Sequence, residues 1–163
     1  MKPAPRRLAA LMMFSLGLVA LAACSRGQAA REVPAEQARD LLLNRNWIDR
    51  MPQNHSDHLY VFRFVPSMGG GVFQDRTLFK GLFELFTFEA TASEIRFVLP
   101  ETRERVRSTY KIERVDGPAP FDLRLTIPES PRGPKVYFGI RSETDRDGQQ
   151  LEQRLAARAK TLP

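Results

Sequence analysis

One cysteine, Cys24, and two histidines, His55 and His58, stand in 163 residues, and each scarcity removes a class of answer. A single thiol forms no intrachain disulfide, so stability has to come from a packed core. Zinc usually takes three or four protein ligands. Asn54-His55-Ser56-Asp57-His58 offers two imidazoles and one carboxylate, on a loop ahead of a strand where a spacing of three sets no common face. A solvated polar turn is expected there, and no metal. The chain also lacks a G-x-S-x-G nucleophile motif, zinc-finger spacing and an RNP-like segment. Gly69-Gly70-Gly71 is followed neither by Lys-Ser/Thr nor by a helix, so it reads as a hairpin connection and not as a phosphate loop. Ser130 lies in Pro128-Glu-Ser-Pro131, a stiff loop between strands. No cofactor site and no catalytic group emerge, and the expectation is a protein that is not an enzyme.

Strong charge of one sign is missing too. The formal net charge is +6, but Lys2, Arg6 and Arg7 all precede an apolar run, and without them +3 remains. That mild balance, with no recognisable module, argues against a nucleic-acid partner.

The longest apolar run, Leu8 to Ala23, falls short of the roughly 20 residues that cross a hydrocarbon core. Basic residues at 2–7, apolar ones at 8–20 and small ones just before Cys24 have the three-part form of a secretory signal peptide. Leu21-Ala22-Ala23-Cys24 resembles the lipobox of bacterial prolipoproteins. That resemblance implies a signal peptide over 1–23, cleavage before Cys24, diacylglycerol on its sulfur and an acyl group such as palmitate on its new amino terminus. One acyl chain attaches a protein only marginally, whereas several make a stable anchor. Ser25, where Asp is absent, favours the outer membrane within that family, with the protein facing the periplasm. Residues 24–33, small and polar over most of their length, are expected to form the lipidated tether, and 34–163 a single domain of the cell envelope.

Within that domain, Pro34 to Leu43 permits a helix with Ala38, Leu41 and Leu42 on one face. After Asp147-Gly148, Leu151, Leu155 and Ala159 recur at helical spacing. Between these the period is two. Ile95, Phe97 and Leu99 alternate with polar residues, as do Val106, Ser108, Tyr110 and Ile112, then Phe121, Leu123, Leu125 and Ile127, and Val136, Phe138 and Ile140. Segments 59–65 and 82–88 are apolar on both faces, so something is expected to cover the surplus face, and the terminal helices offer matching stripes. With a strand at Trp47, this predicts a mainly β domain, an antiparallel up-and-down barrel of about eight strands with flanking N- and C-terminal helices.

A helix, a strand bearing Trp47, a series of next-neighbour strands and a final helix resemble the lipocalin or calycin class. Arg141, after the last strand, matches an arginine of that family, while Arg45 stands where the family has glycine two residues before the tryptophan. The resemblance implies that Trp47 and Arg141 meet at one end of the barrel as structural residues. Glu84 shares parity with Phe86 and Phe88 and is expected to face inward, where it needs an arginine partner. A structural ion pair is favoured over a ligand-orienting group. Glu89 falls on the other face, so the two carboxylates are not a catalytic pair. Two functions follow as expectations. One is a membrane-anchored lipoprotein binding a small apolar or amphipathic ligand in the barrel. The other is an envelope interaction or assembly module, with a protein partner and a barrel plugged by its own side chains, for which the eleven phenylalanines argue.

Overall fold

The computed structural model describes residues 30–162, so Cys24 and the lipobox-like segment before it lie outside the described residues. Helix α1 (Ala35–Leu42) follows a short strand β1 (Arg31–Glu32). Then come β2 (Asn46–Ile48), β3 (Leu59–Val65), β4 (Gly70–Arg76), β5 (Gly81–Ala90), β6 (Glu94–Leu99) and β7 (Glu104–Thr109). The chain ends with β8 (Lys111–Arg114), β9 (Leu123–Thr126), β10 (Val136–Gly139) and helix α2 (Gln149–Ala159). The strands form one antiparallel sheet in the order β1-β8-β9-β10-β2-β3-β4-β5-β6-β7.

That sheet is an open, strongly curled half-barrel: it turns through 253° and its edges stand 14 Å apart. The closed, lipocalin-like barrel of about eight strands is therefore corrected to an unclosed sheet of ten. The reason lies at Tyr110. The expected strand through Val106 and Ile112 is divided there: residues 104–109 pair with β6, residues 111–114 pair with β9, and no residue of this run pairs with both. Closure needs the two edge strands to meet side by side along a shared ladder, and here β7 runs end to end into β8 across Tyr110 without pairing with it. The free side of β8 is taken by β1. Helix α1 packs on β8, while Arg39 Nε donates to Ala90 O at the end of β5, 3.1 Å away.

The concave side is filled. Phe62, Phe64 and Phe73 meet Phe86 and Phe97, with the Phe62 ring centroid 4.9 Å from Phe73 and 5.6 Å from Phe86. Trp47, Tyr137, Leu123 and Leu125 complete this core, and α1 adds Ala38 and Leu42, four residues apart on its inner face. Fully burying side chains of this size is worth about 1.5–3 kcal/mol each, so the aromatic plug contributes strongly to the stability of the domain. Among the described residues the interior contains no enclosed cavity.

The convex side carries α2. Leu151 and Leu155 pack with Ile48, Leu59 and Val61, and Ala159 joins them. This explains why 59–65 is apolar on both faces: Phe62 and Phe64 serve the inner core, Leu59 and Val61 the outer one. It also corrects the phase of β10. Tyr137 is the buried inward residue, whereas Phe138 and Ile140 turn outward into the α2 cluster and Val136 is exposed. A second apolar layer behind a strand makes inner and outer faces look alike in sequence.

Only one glycine of the triplet makes the turn. Gly69 has φ +78°, after a 3-10 turn at Pro66–Met68. Gly71 lies within β4, where a Cβ would come 2.4 Å from the Phe86 ring, so its bare backbone is what admits that ring.

Candidate interaction surface

Thr77-Leu-Phe-Lys-Gly-Leu-Phe-Glu-Leu85 sends consecutive apolar side chains in different directions, and the turn geometry shows how. The Thr77 N–H donates to Lys80 O at 2.7 Å, and Thr77 Oγ1 accepts from the N–H groups of Phe79 and Lys80. Such a side-chain-to-backbone turn fixes the hairpin without apolar contacts of its own. Leu78 points down into the α2 cluster, and Phe79 points out, 68% exposed. Along β5, Glu84, Phe86 and Phe88 face inward, while Phe83 (61% exposed) and Leu85 (62%) face outward; Leu82 at the strand's start is 77% exposed.

Phe79, Phe83 and Leu85 are uncovered because α2 stops short of them; Leu82, in step with Glu84 and Phe86, is on the opposite face. The border of α2 on β4 is the Arg76–Glu152 ion pair, and its apolar stripe serves β2, β3 and β10. Segment 59–65 thus has its cover and 82–88 does not. Contiguous apolar surface of this kind marks interaction sites on proteins of this size.

Beyond β5 the outer face turns basic. Arg96 and Arg107 are direct cross-strand partners, and Arg105 follows on the same face opposite Val98. Like charges placed opposite each other are destabilising. Glu94 offsets part of this by accepting from Arg107 Nε at 2.6 Å and from Arg96 Nε at 3.1 Å. The Arg107 hydrogen bond is the main cause that holds the Glu94 carboxyl below its usual range. The guanidinium groups border an open groove of about 510 Å³ floored by Thr87 and Val98.

Trp47 is fully buried and its Nε1–H donates to Leu42 O at 3.0 Å. Arg141 is exposed, and its backbone N–H donates to Asp122 Oδ1. The guanidinium at the end of the last strand is that of Arg45, which is buried and donates to Leu41 O and Ile140 O. Its stem and the indole flank Gly139, both about 3 Å from where a Cβ would stand. His55 Nε2 meets Ala159 O, and His58 Nδ1 meets Asp75 Oδ1 at 2.9 Å. Asp57 accepts from the Gln53 N–H and the Asn54 amide, which pins the loop between them. Among the described residues no group of three or more His, Cys, Asp and Glu side chains is placed to hold a metal ion. Glu84 has the arginine partner its position demands: Arg132, at 2.7 and 3.0 Å. Arg132 also reaches Glu104, so the 128–134 loop is clamped across the mouth beside Tyr137, whose hydroxyl donates to Arg132 O.

A buried polar cluster under the 143–148 loop carries no sequence motif. Asn46 Nδ2 donates to both Glu143 and Asp145, at 2.8 and 2.7 Å, and Arg63 donates to the carbonyls of Asp145 and Arg146. Burial lowers the Arg63 pKa. Burial pushes the Asp145 carboxyl up, but the bonds from Asn46 and the Leu151 and Gln150 N–H groups outweigh it and leave it below its usual range. The one available signal was Arg63 inside the apolar run Leu59–Val65. The arrangement docks α2, whose Leu151 N–H donates to Asp145 Oδ2.

No described helix is long and apolar enough to cross a membrane. Neither family models, curated proteins nor solved structures give a match to the chain.

Proposed function

We propose that the protein is a non-enzymatic interaction module of the cell envelope, held at a membrane through Cys24 and acting through its outer surface. The observation that carries this reading is a division of apolar surface. The concave side, where a barrel would take a ligand, is filled by the protein's own aromatic rings, and the convex side of β5 is left uncovered. The ligand-binding barrel is set aside on the same ground, since the half-barrel is open and encloses no cavity among the described residues. The tether follows from the sequence, where Leu21-Ala22-Ala23-Cys24 places one thiol behind an apolar leader.

Photo-crosslinking in living cells tests it. A benzophenone side chain at position 85 is expected to give adducts with an envelope component, and one at position 157 on the exposed side of α2 is expected to give none. Equal behaviour of the two positions would contradict the reading.

A further inference from the structure

The outer face of β5–β7 combines two features that are separate elsewhere on the domain. Phe83 and Leu85 project from it and Phe79 from the turn before it, and Lys80, Arg96, Arg105 and Arg107 stand among or beside them. It is convex, because it is the outside of a curled sheet. A protein partner would have to supply a matching concavity, whereas a bilayer accepts projecting apolar side chains at its boundary and anionic headgroups around them.

The path of the chain points the same way. Strand β1, where the described chain begins, is one edge of the sheet, and β7, which bears Arg105 and Arg107, is the other edge, 14 Å away. Extended chain advances at most about 3.6 Å per residue, so Cys24 stands within roughly 25 Å of Arg31. An acylated Cys24 therefore has enough chain to enter a bilayer that touches the basic face.

We infer that the outer face of β5–β7 rests on an anionic lipid surface, with Phe79, Phe83 and Leu85 at the acyl boundary and Lys80, Arg96, Arg105 and Arg107 against headgroup phosphates. This rests on the tethered reading above. The cross-strand pair Arg96–Arg107 then has a purpose: phosphates relieve a repulsion that Glu94, and Glu89 at 3.8 Å from Arg96, offset only in part. Each such cation contributes about fivefold to partition onto an anionic surface, and the contribution falls as salt rises.

The test uses the full-length protein extracted from membranes and reconstituted into protein-free vesicles of phosphatidylethanolamine and phosphatidylglycerol. A nitroxide is attached at Phe83→Cys or, for reference, at Ala157→Cys, and its accessibility to oxygen and to a water-soluble nickel chelate is measured. At position 83 the label is expected to be at least fivefold better shielded from nickel than at 157, and to lose that shielding when phosphatidylcholine replaces both lipids. Equal exposure at the two positions, with intact mass showing acylated Cys24, overturns the inference and leaves the tether standing. Shielding in native membranes that vanishes in protein-free vesicles also overturns it, in favour of a protein partner. Should intact mass show Cys24 unmodified, the tether falls, and flotation of that chain with the anionic vesicles decides. Flotation lost in Phe83→Ser/Leu85→Ser supports the surface, and no flotation of the parent chain overturns it.

Discussion

Arg132 holds Glu84 with two N–H···O bonds, 2.7 and 3.0 Å long, across 48 positions of sequence. The pair joins the proline-rich loop after β9 to the inner face of β5, with side chains only 25% and 18% exposed. Removing one partner leaves the other charge short of hydrogen bonds. Arg132→Ala is expected to destabilise the domain by about 1–3 kcal/mol. Glu84→Gln/Arg132→Ala should cost less than the sum of the single changes, because the orphaned carboxylate is gone. Urea denaturation of the four proteins completes the cycle, and strict additivity would remove the structural role assigned to the pair.

Arg45 and Arg141 should separate cleanly. Arg45 is buried against carbonyl groups at the end of the last strand, beside the Trp47 ring across Gly139, and Arg141 is exposed. Arg45→Ala is expected to cost about 2–3 kcal/mol, in the range of hydrogen bonds made by charged groups, and to shift Trp47 emission. Arg141→Ala should stay within about 0.5 kcal/mol, as surface changes usually do. The reverse order would restore Arg141 as the structural arginine.

Acid should loosen α2 first. Asp145 has a depressed pKa in the fold, so the stability it contributes is present above its unfolded value, near 4, and is lost as pH falls through the lower folded value. Its Oδ2 also accepts the Leu151 N–H at the start of α2, 3.1 Å away. Asp145→Asn should therefore be less stable than the parent at pH 7, with a gap that narrows below pH about 4. Urea midpoints at pH 7, 5, 4 and 3 check this, and a gap that widens in acid would contradict it.

Deleting residues 148–163 removes Leu151 and Leu155 from the outer core and bares Ile48, Leu59 and Val61. The loss is expected to be about 3–6 kcal/mol from the two leucines, with a strong rise in apolar-dye binding. Unchanged dye binding would mean that α2 is not the cover.

Much of this architecture is legible in the sequence, and the exceptions have physical causes. Both helices are announced by apolar stripes at helical spacing, and the alternation at Ile95–Leu99 and Leu123–Ile127 gives the correct inward face because water lies on the other side. Phe138 misleads because α2 hides its outer face, so burial no longer distinguishes the two sides. The division at Tyr110 leaves no mark, since Ser108, Tyr110 and Ile112 remain buried in step while their hydrogen-bonding partners change. Closure is a matter of which strand lies beside which, and alternation is blind to it. At the candidate surface, the doubly apolar pattern of 82–88 was visible. What it could not show was that α2 would cover 59–65 and leave the other strand bare.

Mass spectrometry of organic extracts tests the central claim most directly, that the domain acts through its outer face and not through its interior. The protein is extracted from membranes in a mild non-ionic detergent, exchanged into a second detergent and extracted. The expected result is the acylated chain with no small molecule at stoichiometric level beyond co-purifying membrane lipids, which should be lost on further washing. A single apolar compound retained at one molecule per chain, released only on unfolding and displaced by enlarging an inward residue such as Leu125→Phe, would contradict it.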